Sequence, residues 1–358
     1  MRVMGGDQVD EAVACAVEAL RPAAAASAGR DWTVRAGRLE WSCRYTAEHM
    51  ASDLIAYAGQ LAGRATEAYV PFEITLDEGT DNEGVLRVIE ATGGLLSAAV
   101  RTTPANVRAF HPYPFRSAGP EGFAAMGITE VLVHTHDIAQ GLGLTWEPPA
   151  ALCEAVLTRI FPHVQPGPDH WRTLLWATGR GDLPYRAPLT EWRWNNTVHI
   201  PAGRIALHGI TPAAAADLHT GGTGGFDWTE GGPYEGTRTA AGLLIKAYTA
   251  GSHRPEWGVF AIVRHDDGRA IGGIGFHSTP DDEGNVEVGY DLVEGARGHG
   301  YATEALRALA GWALARPEAK TLHATVDRTN TASQAVVSRA GFTRVGERDD
   351  NYTYELRA

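Results

Sequence analysis

Apolar residues recur at helical spacing through the first half of the chain and at strand spacing through much of the second. Residues 8–20 place Val9, Val13, Val17 and Leu20 on one face, and residues 47–63 repeat this with Met50, Leu54, Tyr57 and Leu61. Asn82 to Val100 carries Val85, Ile89, Leu95 and Leu96 at the same period, although its paired glycines weaken it as a helix. Ala124–Gly141, closed by Gly141 and Gly143, and Ala150–Phe161, stopped by Pro162, complete the set. Amphipathic helices with longish connections predict an all-α four-helix bundle over residues 1–195. Residues 184–197 hold two prolines and little periodicity, and read as the end of that domain and a short linker.

Beyond the linker the period changes. Residues 257–263, 270–278 and 285–293 alternate or run apolar as strands, with the turn HDDG between the first two. Tyr301–Ala315 reads as a helix, 321–326 as a strand, Thr331–Ala340 as a short helix and 352–356 as a last strand. The pattern predicts a second, α/β domain with a mixed sheet over residues 198–358.

Composition narrows the function. The 358 residues hold 31 Lys and Arg against 43 Asp and Glu, a net charge of −12. That argues against nucleic-acid partners and anionic membranes, which need a basic surface, and favours a small cationic partner. No stretch approaches the roughly 20 apolar residues of a membrane span. The N-terminus carries Asp7, Asp10 and Glu11 where a signal peptide would be basic and then apolar. Cys15, Cys43 and Cys153 are too few and scattered for a disulfide framework or a cysteine zinc site. A cytoplasmic protein is expected.

Two clusters carry chemistry. Arg297-Gly298-His299-Gly300-Tyr301-Ala302 joins a strand to a helix. Glycines there let backbone amides approach a phosphate, and the positive end of the helix dipole favours it. The alternative is a plain glycine turn. In the first half, Glu130 and His134 stand four apart on one predicted helix, so both leave the same face about 6 Å apart. That spacing suits one divalent metal, with His49 of another helix as third ligand and an open position for water or a thiol. It also suits a surface hydrogen bond beside an unrelated histidine. Asp137 is placed to orient a ligand.

The order of motifs in the second half is E-x-G-Y on a strand, R-x-x-G-x-A, a helix with TEAL, a strand, Asn330-x-x-Ser333 and Ala340-Gly341-Phe342. It resembles the GNAT superfamily of acetyl-CoA-dependent N-acyltransferases, nearest the ribosomal-protein N-acetyltransferase branch. The resemblance implies that the amides of Arg297, Gly298, His299, Gly300, Tyr301 and Ala302 hold the coenzyme's pyrophosphate. It implies that the backbone of Leu292 and Val293 pairs with the pantetheine arm and that Asn330 orients it. Ser333 lies where a donor to the leaving sulfur is often found. Relatives often carry a tyrosine two turns after the asparagine as the acid, and this helix has none. Glu287, on the cofactor strand, is the expected base acting through a water, with His323 and Asp327 as alternatives. Phe226, Trp228 and Tyr234 fall where the fold lines its acceptor pocket. The acceptor would be a small-molecule or peptide primary amine.

The segments WSCRYTAEHMASDL, EVLVHTHDIAQGLG and LLWATGRGDLP resemble the DinB-like helical bundles, most closely the N-terminal domain of mycothiol-dependent maleylpyruvate isomerases. That resemblance implies a divalent metal, commonly zinc, on His49, Glu130 and His134, with mycothiol as the thiol cofactor. The isomerases complete their site with a different C-terminal domain, whose place is taken here by the GNAT-like one. The bundle is then either a metal- and thiol-dependent S-transferase or isomerase, or a part that senses metal or docks the acceptor.

Overall fold

The computed structural model describes residues 4–25, 29–104, 107–112, 117–161, 164, 167–184, 186–189, 192, 194 and 196–357. The chain divides into two compact units, residues 2–196 and 197–358.

The first unit is helical: α1 (Gly6–Ala24), α2 (Cys43–Gly63), α3 (Asn82–Thr102), α4 (Pro120–Gly141), α5 (Ala150–Ile160) and α6 (His170–Ala177). Local chemistry sets the starts. Ser42, Asp81 and Asp169 each accept a hydrogen bond from a first-turn amide of α2, α3 and α6, and Pro120 opens α4. α4 packs on α1, α2, α3 and α5 and is buried without a break from Gly122 to Thr135. It is therefore a central helix rather than an amphipathic one on the surface. The paired glycines do not interrupt α3. Gly93 lets α3 close on α1, since a Cβ there would stand 2.6 Å from Val13 Cγ2. Pro162, read as the stop of α5, lies outside the described residues, as do Tyr185, Thr190, Glu191, Arg193 and Asn195 of the expected linker. The described part of that linker is not free chain: Trp194 is buried in the helical core, 6.0 Å from the Phe161 ring and 4.9 Å from Trp192.

The second unit is one eight-stranded sheet in the order β1-β2-β3-β4-β5-β6-β8-β7, its strands being β1 (His199–Ala202), β2 (Ile205–Gly209), β3 (Val259–Arg264), β4 (Ala270–Phe276), β5 (Asn285–Leu292), β6 (Thr321–Asp327), β7 (Thr343–Arg348) and β8 (Asn351–Arg357). The hairpin β1–β2, strand β7 and helices α7 (Pro212–His219) and α8 (Glu235–Thr249) were not anticipated from the sequence. All neighbours are antiparallel except β5 and β6. Those two pair only over Asn285–Glu287 with Thr321–His323 and then part. The sheet is thus split beyond Glu287, with the rest of β5 presenting an unpaired edge. On one face Val259, Ala261 and Val263 pack under Ala215, Leu218, Ala241 and Leu244 of α7 and α8. On the other, Phe260 meets Trp312 of α9 (Tyr301–Leu314). Helix α10 (Thr331–Arg339) follows β6. Among the described residues, no helix is long and apolar enough to cross a membrane.

Candidate active site and candidate metal centre

The split beside β5 leaves an open strand edge that runs to a turn of unpaired backbone amides. In the antiparallel β4–β5 ladder the odd residues of β5 bond to β4: Glu287 O accepts from His277 N, and Val293 N donates to Ile271 O. By alternation the backbone groups of Val288, Tyr290 and Leu292 point toward the split. Val293 was expected to offer its backbone beside Leu292. Its amide is spent on Ile271 and its carbonyl on Ala296 N, and the Val288 amide serves the last rung with His323, so Tyr290 and the Val288 carbonyl replace it as the free edge.

The split leads to the turn that opens α9. Gly298 and Gly300 have φ of +80° and +86°, the left-handed region that glycine adopts without strain. Between them and the first turn of α9, the amides of Gly298, His299, Gly300, Tyr301 and Ala302 have no hydrogen-bond partner among the described residues. Five unpaired amides at a helix N-terminus form an anion nest. Arg204, in the β1–β2 turn, buttresses it. Its guanidinium donates to His299 O and to Glu304 and lies 4.7 Å over the Tyr301 ring. Arg297 donates from Nε to Leu292 O and covers Tyr234 at 5.2 Å.

Asn330 caps α10, its Oδ1 accepting from Ser333 N at 3.0 Å. The Tyr290 hydroxyl of β5 donates to Ser333 O of α10 at 3.4 Å, so a phenol from the strand side spans the split. His323 is engaged by Asn285 and Glu355, and Asp327 Oδ1 by the backbone and hydroxyl of Thr329.

A cavity of about 520 Å3 lies between α8 and the other face of β4 and β5. Its floor is glycine: Gly273, Gly275 and Gly289. Phe226, Trp228 and Tyr234, expected to line an acceptor pocket, do not line it. Trp228 is buried in the core under α7, and Tyr234 is exposed at the start of α8. Asp291 closes one end, accepting from Thr237 Oγ1 at 2.7 Å and Gly273 N at 2.8 Å. Burial raises its carboxyl above the ordinary range although those bonds oppose the rise. His253, also on the wall, is buried, and desolvation lowers its imidazole to about 4. Glu287 does not line the cavity; His277, which sequence reasoning missed, does, with Nδ1 3.3 Å from Glu287 Oε2.

In the helical unit, one donor atom each from His49, Glu130 and His134 lies within 4.8 Å of the others, so the three residues converge. His134 and Glu130 are buried, with Nε2 3.0 Å from Oε2. The other ring nitrogen of His134 lies 3.1 Å from Asp137 Oδ2, and Asp137 is itself gripped by Arg180 at 2.9 Å. Burial disfavours the charged imidazole, but the bonds to Asp137 and Glu130 outweigh it and lift His134 to about 9. His49 pairs with Asp53 at 3.1 Å. Burial lowers the His49 imidazole, and burial beside Glu130 raises the Asp53 carboxyl to about 8. The Trp41 ring flanks both histidines, 4.7 Å from His49 and 6.1 Å from His134. Arg180 comes from the TGRGD segment, whose role no local pattern declared.

Residues 204–343 match the family model described as acetyltransferase (GNAT) domain. The sheet unit therefore carries a GNAT acetyltransferase domain. Among curated proteins, the N-acetyltransferase YjdG of Bacillus subtilis (strain 168), itself uncharacterized, is 35% identical over 81 residues, 23% of this chain and 48% of the relative. The p20 N-acetyltransferase of Bacillus licheniformis, also uncharacterized, is 29% identical over 87 residues, 24% of this chain and 49% of the relative. The chain spans about half the length of the curated relatives it matches. Similar solved structures include an acetyltransferase from Agrobacterium tumefaciens (26% identity, 50% of this chain and 100% of that one, TM-score 0.33). Another is the ribosomal-protein-S5-alanine acetyltransferase from Vibrio fischeri (15% identity, 45% and 96%, TM-score 0.34).

Proposed function

We propose that the sheet unit transfers acetyl from acetyl-CoA to a primary amine, a peptide N-terminus or a small cationic metabolite. The observation that carries this reading is the run of five unpaired amides from Gly298 to Ala302 beside the open edge of β5. The nest takes the pyrophosphate, with Arg297 beside it, and the Val288 carbonyl, the backbone of Tyr290 and the Leu292 amide pair with the pantetheine arm. Asn330 and Ser333 face the thioester end, and the amine enters from the glycine-floored cavity. The chemistry is attack of a neutral amine on the thioester, which needs a proton acceptor and a stabilised thiolate. Calorimetry with coenzyme A tests it, followed by thiol release from acetyl-CoA over a panel of amines. Absence of coenzyme binding overturns it, and Arg297→Glu should weaken that binding.

A second reading rests on the convergence of His49, Glu130 and His134. We infer that the helical unit is a DinB-like bundle whose three residues hold a divalent metal, zinc being the ion their donor set suits. The fit is supported by the carboxylates that hold each imidazole, Asp53 on His49 and Asp137 on His134. Such an ion makes a bound water or thiol acidic. Asp137 and Arg180 fix the His134 ring, and Trp41 shields the site from one side. Elemental analysis of chelator-free protein tests the metal, and His49→Ala should lose it while keeping acetyl transfer. Conjugation of mycothiol to electrophiles would mark an S-transferase or isomerase. A filled site inert to thiols, with acetyl transfer tuned by the metal, would mark a sensor or docking part.

A further inference from the structure

The glycine floor of the cavity exposes one imidazole. The β4–β5 register pairs Gly273 with Asp291 and Gly275 with Gly289, and the His277 N to Glu287 O bond continues it by one step. These residues therefore share the face that α8 covers. Asp291 is saturated by Thr237 and Gly273, and His253 is buried with its imidazole depressed. Arg254, on the same wall, is occupied by Glu256 and Glu318. His277 differs from all three. Its side chain is half-exposed, its Nδ1 is 3.3 Å from Glu287, and its Nε2 has no hydrogen-bond partner among the described residues. The ring lies over Gly289, where an added Cβ would stand 2.7 Å from Nε2. The missing side chain at Gly289 is what lets the imidazole occupy the cavity floor at the strand that borders the split.

We propose that His277 is the catalytic base of the acetyl transfer, and that Glu287 is a positioning residue that holds its ring. The inference rests on the acetyl-transfer reading and revises the role expected for Glu287. With Nδ1–H directed at Glu287, Nε2 carries the lone pair that faces the incoming amine. The amine nitrogen's lone pair forms the C–N bond with the thioester carbonyl carbon, and its N–H proton passes to Nε2. The carbonyl re-forms as the C–S bond breaks. The thiolate leaves with that electron pair and takes up a proton, while the imidazolium returns its own to solvent. The balance is amine plus acetyl thioester to amide plus thiol.

The test uses the full chain, acetyl-CoA, and the panel amine turned over fastest by the wild type. His277→Ala should bind coenzyme A as the wild type does and lose roughly 10²–10⁴ in kcat/KM. Free imidazole should restore part of the rate, because the substitution opens space beside Gly289. Glu287→Gln should lower kcat with little change in KM, and imidazole should not restore it. Undiminished turnover in His277→Ala overturns the proposal, as does a loss that imidazole leaves unrestored. A wild-type protein that binds coenzyme A yet acetylates none of the panel overturns the acetyl-transfer reading instead.

Discussion

Replacing Gly300 with alanine adds a single methyl group at the N-cap of α9, where φ is +86°. Room is not the obstacle, since the nearest heavy atom to that Cβ, Arg204 Nη2, is 3.5 Å away. The cost is conformational, about 1–2 kcal/mol for an L-residue held left-handed. Rotating the peptide relieves it and turns the amides of the nest away from a common centre. A hydrogen bond to a charged group is worth about 1.5–3 kcal/mol, so losing one weakens coenzyme A binding roughly tenfold to a hundredfold. Two other glycines serve as controls. Gly295 has an ordinary φ and Gly311 lies inside α9, and a Cβ on either meets nothing within 4 Å. Gly295→Ala should bind as the wild type does, and Gly311→Ala should do so while gaining up to about 1 kcal/mol of helix stability. Isothermal titration with coenzyme A reads all three. Wild-type affinity in Gly300→Ala, or equal losses in all three variants, would refute the assignment of these amides to the pyrophosphate.

Acid should loosen the sheet unit through His253. The buried imidazole stays neutral down to about 4, whereas the unfolded chain protonates it near the ordinary value of about 6.5. The unfolded state therefore binds more protons between those limits, and stability falls by roughly 3 kcal/mol as pH drops through that window. Amide exchange over β3 and β4 should rise accordingly in the wild type and less in His253→Gln; equal pH slopes would count against it. Arg180→Ala should weaken zinc binding by about 10–100-fold in equilibrium dialysis, because Asp137 loses the group that aims it at His134; unchanged affinity would remove Asp137 from the site. Gly93→Ala should cost about 1–3 kcal/mol in denaturant melts by driving a methyl into Val13, whereas Gly94→Ala, with open space, should not.

Much of both units was legible because the relevant signals are local. The faces of α1 and α2 and the strands β4 and β5 follow from side-chain period alone, and the positive-φ turn at Gly298 and Gly300 from glycine's freedom. Helices α7 and α8 were missed because glycine and proline crowd around them and hide a short apolar period that only the sheet beneath makes favourable. The 184–197 segment was read as linker because proline masked its tryptophans, and Trp194 is bought into the core only by rings of the helical unit.

The same boundary runs through the sites. The Glu130–His134 spacing is a property of one helix, so four positions of sequence suffice to align the two side chains. The convergence of His49 on them, the support of Asp137 by Arg180 and the Tyr290 contact with Ser333 span tens of residues, and packing decides them. Glu287 was chosen from its strand, yet the neighbour one strand away, His277, reaches the cavity. The amino-acid order determined which residues alternate, which turns tolerate positive φ and which pairs share a helix face, because those are constraints on near neighbours. Where the sheet parts after Glu287, which amides remain unpaired and which imidazole stands over a glycine floor were settled only by tertiary structure, because strand register and helix packing join residues far apart in the chain.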